Sequence, residues 1–231
     1  MIWVILPAYV QDLENNDIQR EMLGSFTLFD QPGNPLTHHK KIAIDNGSLP
    51  TASIDLEQWA DYYVITDHPI GYARAVNLGW AMVDQLASDD DFVLVLNNDL
   101  TFTEGWLTSL VSFLEQHPDA AAVAAEDRGV PHDAVSNHVW SSCFLMRQRT
   151  RKAIGFFDAD QLPYRYHDQD YWMRAMSKGY QFYRIGASKV GHKESTTYKK
   201  MPERATEETE RQIVEKRWGT YMAQWYQPMS Q

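Results

Sequence analysis

The 231-residue sequence has a single cysteine, Cys143, so it has neither a disulfide framework nor a zinc site built from cysteines. Long apolar runs are also missing, since no stretch approaches the ~18 residues that a membrane-spanning helix needs. The opening run Ile2–Leu6 is halted by Pro7 and has no basic flank, so it lacks the features of a signal peptide. We therefore expect a cytoplasmic protein with no integral membrane segment.

Three common catalytic motifs are absent as well. The sequence has no Gly-x-Gly-x-x-Gly loop, no Walker A lysine and no Gly-x-Ser-x-Gly elbow. These absences exclude the glycine-rich dinucleotide-binding fingerprint, the P-loop and the serine nucleophile of an α/β-hydrolase.

Positive charge is scarce overall but unevenly distributed. The formal net charge is −10, yet residues 141–204 hold 13 Lys and Arg against 6 Asp and Glu. The remaining residues hold 8 against 25. Such an asymmetry has two explanations, a solvated surface or an anionic ligand that faces the basic segment.

Short apolar runs alternate with helix-like stretches in the first half. The predicted strands are Ile2–Leu6, Ile42–Ile44, Tyr63–Ile65 and Phe92–Leu96, and the predicted helices are Asn15–Phe29, Gly71–Ala87 and Trp106–Gln116. A breaker cluster, Gln31–Pro35, ends the first of these helices. Later elements are predicted at Trp140–Met146, Asp170–Lys178, Tyr180–Ile185 and Glu203–Trp218. The pattern predicts one α/β domain with a mostly parallel sheet flanked by helices.

Polar residues follow three of the predicted strands, where open parallel sheets bind ligands. They form the segments Asp45–Ser48, Asp67–His68 and Asn97–Asp99. Asp99 has the chemistry of a ligand for Mg²⁺ or Mn²⁺, although a turn carboxylate before the next helix fits the same position.

A second polar segment, Tyr166–Asp170, precedes a short helix. Its histidine and two carboxylates suit general acid–base or metal chemistry. On local evidence, Asp168 as a helix N-cap, with Asp170 favourable to the helix dipole, explains the pattern better. His192 follows a predicted strand and is either a structural histidine or a ligand.

Taken in order, these segments resemble the family 2 glycosyltransferases of the GT-A fold, in particular the rhamnosyltransferase-like branch. The segments that carry the resemblance are Leu6–Tyr9, Ile42–Ser48, Gly71–Gly79, Val95–Asp99 with Gly105–Leu107, Ile154–Asp158 with His167–Asp170, Val190–His192 and Lys216–Gly219. Asn97–Asp99 stands in place of the family's Asp-x-Asp motif, and His167 stands where the family usually has Glu.

The resemblance implies a role for each matching residue. Nucleotide-sugar binding falls to Pro7, Tyr9, Asp45, Arg74, Asn98 and Asp99. Asp99 and His192 would hold Mn²⁺ or Mg²⁺, and Asp168 would be the general base. Acceptor-side positions are His167, Asp170, Arg147 and Lys193. The implied reaction is inverting transfer of a sugar from a UDP-, GDP- or dTDP-linked donor to an acceptor hydroxyl.

The resemblance also implies a division of the single domain 1–231. Residues 1–118 would bind the nucleotide sugar, 119–200 would carry the base and the acceptor, and 201–231 would be a helical extension. A glycan is the expected acceptor. The basic run Arg147, Arg149, Arg151 and Lys152, with Lys189, Lys193, Lys199 and Lys200, leaves a hydroxylated base in viral DNA as the alternative.

Two other functions are weaker. A sugar nucleotidyltransferase would need a glycine-rich basic loop after the first strand, which Pro7–Asp12 does not supply. A non-catalytic nucleotide-sugar-binding domain would not need both Asp99 and Asp168. The segment 28–41 is longer than the family's usual first crossover, and the sequence assigns it no role.

Overall fold

Strands and helices alternate through the first half of the chain. The computed structural model describes residues 1–29, 38–126, 134–135, 141–193 and 207–225. The strands are β1 (Ile2–Ala8), β2 (His39–Asp45), β3 (Tyr62–Ile65), β4 (Phe92–Leu96), β5 (Leu100–Phe102), β6 (Ala120–Glu126), β7 (Ala134–Val135), β8 (Cys143–Arg147) and β9 (Gln181–His192). The helices are α1 (Leu13–Phe29), α2 (Pro50–Trp59), α3 (Tyr72–Leu86), α4 (Trp106–Gln116), α5 (Gln148–Ile154), α6 (His167–Ser177) and α7 (Glu207–Trp225).

These strands form one sheet in the order β3-β2-β1-β4-β8-β6-β9-β5, with β7 beside β9. The first four strands of this order pair in parallel. β8 is antiparallel to both β4 and β6, and β9 is parallel to β6, so β6 and β9 point the same way as β4. Six strands therefore end at a common edge, here called the carboxyl edge, and the opposite one is the amino edge.

Apolar side chains on both faces of this sheet form two core layers. One face packs on α1, α2 and α4 around residues such as Leu94 and Trp106. The other packs on α3 and α6 around Val95, Trp80 and Trp172. Alternation of neighbouring residues between two buried faces explains why β4 is apolar throughout.

Five elements were not predicted from the sequence, among them the short strands β5 and β7. β6 consists largely of alanine, a weak strand former, and is a strand because all seven residues are buried. α2 begins at Pro50, a favoured first position of a helix, and buries Ala52, Leu56 and Trp59 at helical spacing, a signal that sequence reasoning missed. α5 is only seven residues long, which is too short for a clear periodic pattern. Among the predicted elements, α6 begins at His167 rather than Asp170, and β9 extends to His192. The Gln31–Pro35 breaker and most of the 28–41 segment lie outside the described residues.

The basic run of the second half lies at the amino edge, where it meets acidic residues at the end of α3 and before β4. Arg149 pairs with Asp90 at 3.1 Å, and Lys152 pairs with Asp89 at 2.6 Å. This pairing accounts for part of the charge asymmetry through contacts within the protein itself.

Arg151 makes the deepest of these contacts. Its guanidinium is 1% exposed, pairs with Asp84 and lies over the rings of Trp80 and Phe156. The positive charge of Arg151 is therefore part of the core.

Candidate active site

Asp45 ends β2 at the carboxyl edge, and hydrogen bonds from its own loop and from β3 hold its side chain. One carboxylate oxygen accepts a hydrogen bond from the backbone N–H of Ser48 and the other from the Tyr63 hydroxyl, both at 2.8 Å. Burial, followed by the contact with Asp45, raises the pKa of Tyr63 to about 12. Asp45 is itself fully buried, so its geometry is set before any ligand arrives.

The loop after β1 contacts the loop after β2. Pro7 lies within β1 opposite Ile44, and the backbone N–H of Val10 donates to the Ser48 hydroxyl at 3.1 Å. Tyr9 lies between these positions and accepts a hydrogen bond from Gln11. The structure thus brings Pro7, Tyr9 and Asp45 together, as the resemblance implies.

Asn98 follows β4 and faces α1. Its amide lies 3.5 Å from the side-chain oxygen of Gln19, a fully buried residue whose amide nitrogen lies 3.3 Å from the carbonyl of Ala52. The next residue, Asp99, is 8% exposed. The buried amide of Gln19 therefore connects the turn after β4 to α2.

Asp99 and His192 are 93 positions apart and meet because β5 pairs with the end of β9. Nε2 of His192 lies 3.1 Å from Oδ1 of Asp99. Lys193 extends the pairing, since its backbone N–H donates to the Asp99 carbonyl at 3.0 Å and its ammonium pairs with Glu21.

Gly191 permits this close pairing. A Cβ at this position would lie 2.3 Å from the Thr101 hydroxyl of β5. Because Gly191 has no side chain, β5 can pair closely with β9 beside the Asp99–His192 pair.

The Asp99–His192 pair fits the donor preferences of a divalent cation. A carboxylate oxygen and an imidazole nitrogen suit Mn²⁺, and a carboxylate with phosphate and water oxygens suits Mg²⁺. Within the described ranges, no three His, Cys, Asp or Glu side chains converge as a metal site.

Asp168 lies in the first turn of α6, and it does not cap that helix. The N-cap is Tyr166, in the left-handed region at φ 56°, a conformation that costs about 1–2 kcal/mol for a residue with a Cβ. The Asp168 carboxylate is partly exposed and accepts from the backbone N–H of Gln169 at 2.9 Å. The interpretation of Asp168 as a helix cap is therefore wrong.

Tyr72 connects Asp168 to the Asp99 turn. Its hydroxyl donates to the Ser141 carbonyl at 2.9 Å. Burial raises the pKa of Tyr72, and the nearby carboxylate of Asp168, with a smaller effect from Asp99, raises it further. The Tyr72 ring lies 5.1 Å from the ring of His167, the residue before Asp168, and the carbonyl of Ser142 accepts the backbone N–H of Asn97. Tyr72 therefore lies between the start of α6 and the turn after β4.

His167 and Asp170, two predicted acceptor-side residues, are buried. His167 is 5% exposed between the rings of Tyr72 and Phe157, and burial lowers its pKa, so its imidazole is neutral at pH 7. Asp170 is fully buried and accepts hydrogen bonds from Arg174 at 2.9 Å, Arg217 at 3.0 Å and Trp218 at 2.9 Å. Neither side chain is open to an acceptor, because the side chains packed around them occupy that space.

The two arginines among the predicted site residues, Arg74 and Arg147, lie in different parts of the structure. Arg74, in the first turn of α3, lies 3.3 Å from Asp160 and keeps 42% of its side chain exposed. Arg147 ends β8 at the amino edge, where its guanidinium donates to the carbonyls of Leu114 and Ala120. The structure therefore does not bring Arg147 to the carboxyl edge, because β8 runs antiparallel to β4.

Sequence reasoning missed several residues at this edge. Tyr63 lies in a predicted strand, yet only its tertiary contact with Asp45 distinguishes it. Glu126 ends β6 at the same edge and is 5% exposed, but the alanine-rich strand that carries it was not predicted. Tyr72 follows Gly71 within a matching segment and could have been noticed there.

Solved structures share this fold. The first 349 residues of TarS from S. aureus match with a TM-score of 0.62 and 17% identity over 82% of this chain. The mannosyltransferase PcManGT from Pyrobaculum calidifontis, in complex with GDP-Man and Mn²⁺, matches with a TM-score of 0.65 and 16% identity over 83%. GalNAc-T7 with UDP, GalNAc and Mn²⁺ matches with a TM-score of 0.65 and 11% identity over 83%.

The chain spans 59%, 56% and 43% of those three proteins, respectively. The predicted GT-A fold is thereby confirmed. No curated protein sequence matches the chain significantly. None of the helices in the described ranges is both long and apolar enough to cross a membrane.

The model of the family "Glycosyl transferase family 2" matches residues 26–180, two thirds of the chain. This range includes Asp45, Asp99 and Asp168. The chain belongs to glycosyl transferase family 2.

Proposed function

We propose that the chain transfers a sugar from a nucleotide-diphosphate sugar to an acceptor hydroxyl with inversion at the anomeric carbon. The observation that carries this proposal is the arrangement at the carboxyl edge. There Tyr72 lies between the turn that carries Asp99, which pairs with His192, and the start of α6, which carries the partly exposed carboxylate of Asp168.

Donor binding is assigned to residues 1–118, where the loops after β1, β2 and β4 meet. Pro7, Tyr9 and Asp45 would hold the nucleoside, with Arg74 and Asn98 toward the diphosphate. Asp99 and His192 would hold Mn²⁺ or Mg²⁺. When bound, the cation neutralises charge on the departing nucleoside diphosphate. Two structural neighbours contain Mn²⁺, which supports a divalent cation here.

Asp168 is assigned as the general base in residues 119–200. Its carboxylate takes the proton of the acceptor hydroxyl while that oxygen bonds to the anomeric carbon. The bond from this carbon to the diphosphate oxygen breaks, and the nucleoside diphosphate leaves with the electron pair. A single displacement of this kind inverts the configuration and needs no nucleophile from the protein.

The acceptor that we propose is a glycan. The alternative, a hydroxylated DNA base, rested on a basic run. Arg147, Arg149, Arg151 and Lys152 from that run lie at the amino edge and bind carbonyls or carboxylates of the protein. Lys199 and Lys200 lie outside the described residues. The rhamnosyltransferase-like specificity stays a prediction.

A donor panel tests the reaction. The chain is incubated with UDP-, GDP- and dTDP-sugars and Mn²⁺, and release of nucleoside diphosphate is measured with the wild type, Asp99→Asn and Asp168→Asn. We expect one donor class to turn over, and both variants to lose most of the rate. The wild-type product, examined by NMR, should have the inverted anomeric configuration.

Two results would contradict the proposal. A wild type that binds nucleotide sugar with Mn²⁺ and never turns it over would indicate the non-catalytic alternative. Tight binding of duplex or single-stranded DNA that weakens steeply with salt would favour the DNA acceptor over the glycan.

A further inference from the structure

The turn before Asp168 has a backbone conformation that is unfavourable without contacts from the rest of the protein. Tyr166 adopts a left-handed conformation directly before α6, and its carbonyl accepts the N–H of Asp170 at 2.9 Å. A residue with a Cβ keeps such a conformation only when its surroundings impose it. The position of Asp168 therefore depends on what holds the residues immediately before it.

α7 holds this turn through a buried carboxylate. Oε2 of Glu210 accepts the backbone N–H groups of Tyr164 at 3.3 Å and Arg165 at 2.8 Å. Glu210 is 2% exposed. Its two hydrogen bonds fix the backbone one and two residues before Tyr166.

The same turn is held from its other side by α3. The carbonyl of Pro163 accepts the N–H of Ala73 at 3.1 Å. Gly71 precedes this contact with a positive φ, and a Cβ there would lie 2.8 Å from the Pro163 carbonyl oxygen. Residues 163–165 are thus bound on one side by the donor half and on the other by α7.

One face of α7 makes the contacts of this helix with the turn and with α6. Glu210, Val214, Arg217 and Trp218 lie at helical positions i, i+4, i+7 and i+8, which places them on one side. Arg217 and Trp218 bind Asp170 of α6, and Arg217 also binds Asp158 at 2.7 Å. α7 therefore attaches to both the start of α6 and the turn before it, mainly through polar contacts.

We propose that α7 sets the geometry of the general base, with Glu210 as the positioning residue. This inference rests on the proposed function of Asp168. The base site at α6 would then depend on α7, whereas the donor site would not. Among the described residues, α7 makes no contact with Asp45 or Asp99, which lie at the donor loops after β2 and β4. Loss of the Glu210 hydrogen bonds should then impair the chemical step and leave donor binding intact.

Steady-state kinetics of matched variants test this division. Glu210→Ala removes both hydrogen bonds, and a displaced base should lower kcat about 10- to 100-fold. The KM for the donor should stay within about twofold, since the donor site is unchanged. Glu210→Gln keeps an acceptor oxygen in place and should restore most of kcat. Arg211→Ala is the control, because Arg211 lies on the exposed side of α7 and forms ion pairs with Glu208 and Glu215 of the same helix.

A second variant and a second readout guard against a folding defect. Trp218→Phe keeps an aromatic ring and removes the hydrogen bond to Asp170, so a smaller loss of kcat with the same donor KM is expected. Amide hydrogen exchange over residues 164–170 should become at least about tenfold faster in Glu210→Ala and stay unchanged in Arg211→Ala.

Three results would overturn the inference. They are an unchanged kcat in Glu210→Ala, a donor KM that rises as far as kcat falls, and unchanged hydrogen exchange over residues 164–170. If the wild type turns over no nucleotide sugar, the proposed function fails, while hydrogen exchange still decides whether Glu210 holds the turn.

Discussion

The two edges of the sheet use charged residues differently. At the carboxyl edge, Asp99 lies beside His192, and the partly exposed carboxylate of Asp168 lies near the half-buried Tyr72. At the amino edge, Arg149 and Lys152 are matched by acidic neighbours of the same chain. The sheet thus separates the charges of the proposed active site from charges that pair with each other within the protein.

This contrast changes the meaning of the basic segment. Counted along the sequence, residues 141–204 have a large positive excess that fits an anionic partner. In the folded chain, several of these cations face Asp84, Asp89 and Asp90. Net charge along a segment therefore does not describe the surface that the segment presents.

The largest effect is expected at the carboxyl edge. Replacing Asp168 by Asn removes the proposed base and should lower kcat by about 10²- to 10⁴-fold. Since Asp168 is partly exposed, the free energy of unfolding should change little. Steady-state kinetics with the best donor test the expected loss of kcat, and urea unfolding of the same preparation tests the expected stability. A variant that keeps its rate would show that another group accepts the proton.

The converse is expected for Arg151 at the amino edge. Arg151→Met keeps much of the apolar stem, loses the buried pairing with Asp84 and should lower the free energy of unfolding by about 2 kcal/mol. The rate of sugar transfer should stay unchanged below the unfolding temperature. A fall in kcat without a fall in stability would break the division between the two edges.

Burial of His167 makes the free energy of unfolding depend on pH. Because burial lowers its pKa below 6.5, the unfolded chain takes up a proton before the folded chain does. Stability is therefore complete above about pH 6.5 and should fall by up to about 1.4 kcal/mol per pH unit below it. In His167→Phe this part of the slope should disappear. Urea unfolding at pH 7, 6 and 5 measures it, and identical slopes in both proteins would contradict the prediction.

The smallest effect is expected for Arg149. Its side chain is 53% exposed and its partner Asp90 is 88% exposed, so solvent screens the pair. Arg149→Ala should change the free energy of unfolding by about 0.5 kcal/mol or less. Thermal unfolding beside Arg151→Met tests whether burial, rather than charge, decides the difference. Similar losses in both variants would contradict that explanation.

The residues of the proposed donor side could be largely predicted from local segments. Asp45, Asn98 and Asp99 lie at the ends of β2 and β4, which both pair in parallel with β1, so these ends lie at the same edge of the sheet. His192 was predicted as a partner of Asp99, and the pairing of β5 with β9 brings the two together. Here local pattern and family resemblance carried the prediction.

The residues around the proposed base could be predicted only in part. Asp168 is partly exposed and its role as base stays a prediction, whereas His167 and Asp170 beside it were assigned to the acceptor and are buried. Residues this close along the chain differ in exposure because α6 turns each side chain in a different direction. Which direction faces the core depends on α7, whose register on α6 no local pattern shows.

By itself, the sequence determined the alternation of strands and helices, the apolar core strands and the polar residues at their carboxyl ends, since these follow from periodicity within short segments. The tertiary structure decided which charges meet each other and which remain open to a ligand. It placed Arg147 at the amino edge, buried Asp170 under α7 and brought Glu210 to the turn before Asp168. The reason is that strand direction and helix docking are set by contacts between distant residues, whereas periodicity reports only the nearest turn of the chain.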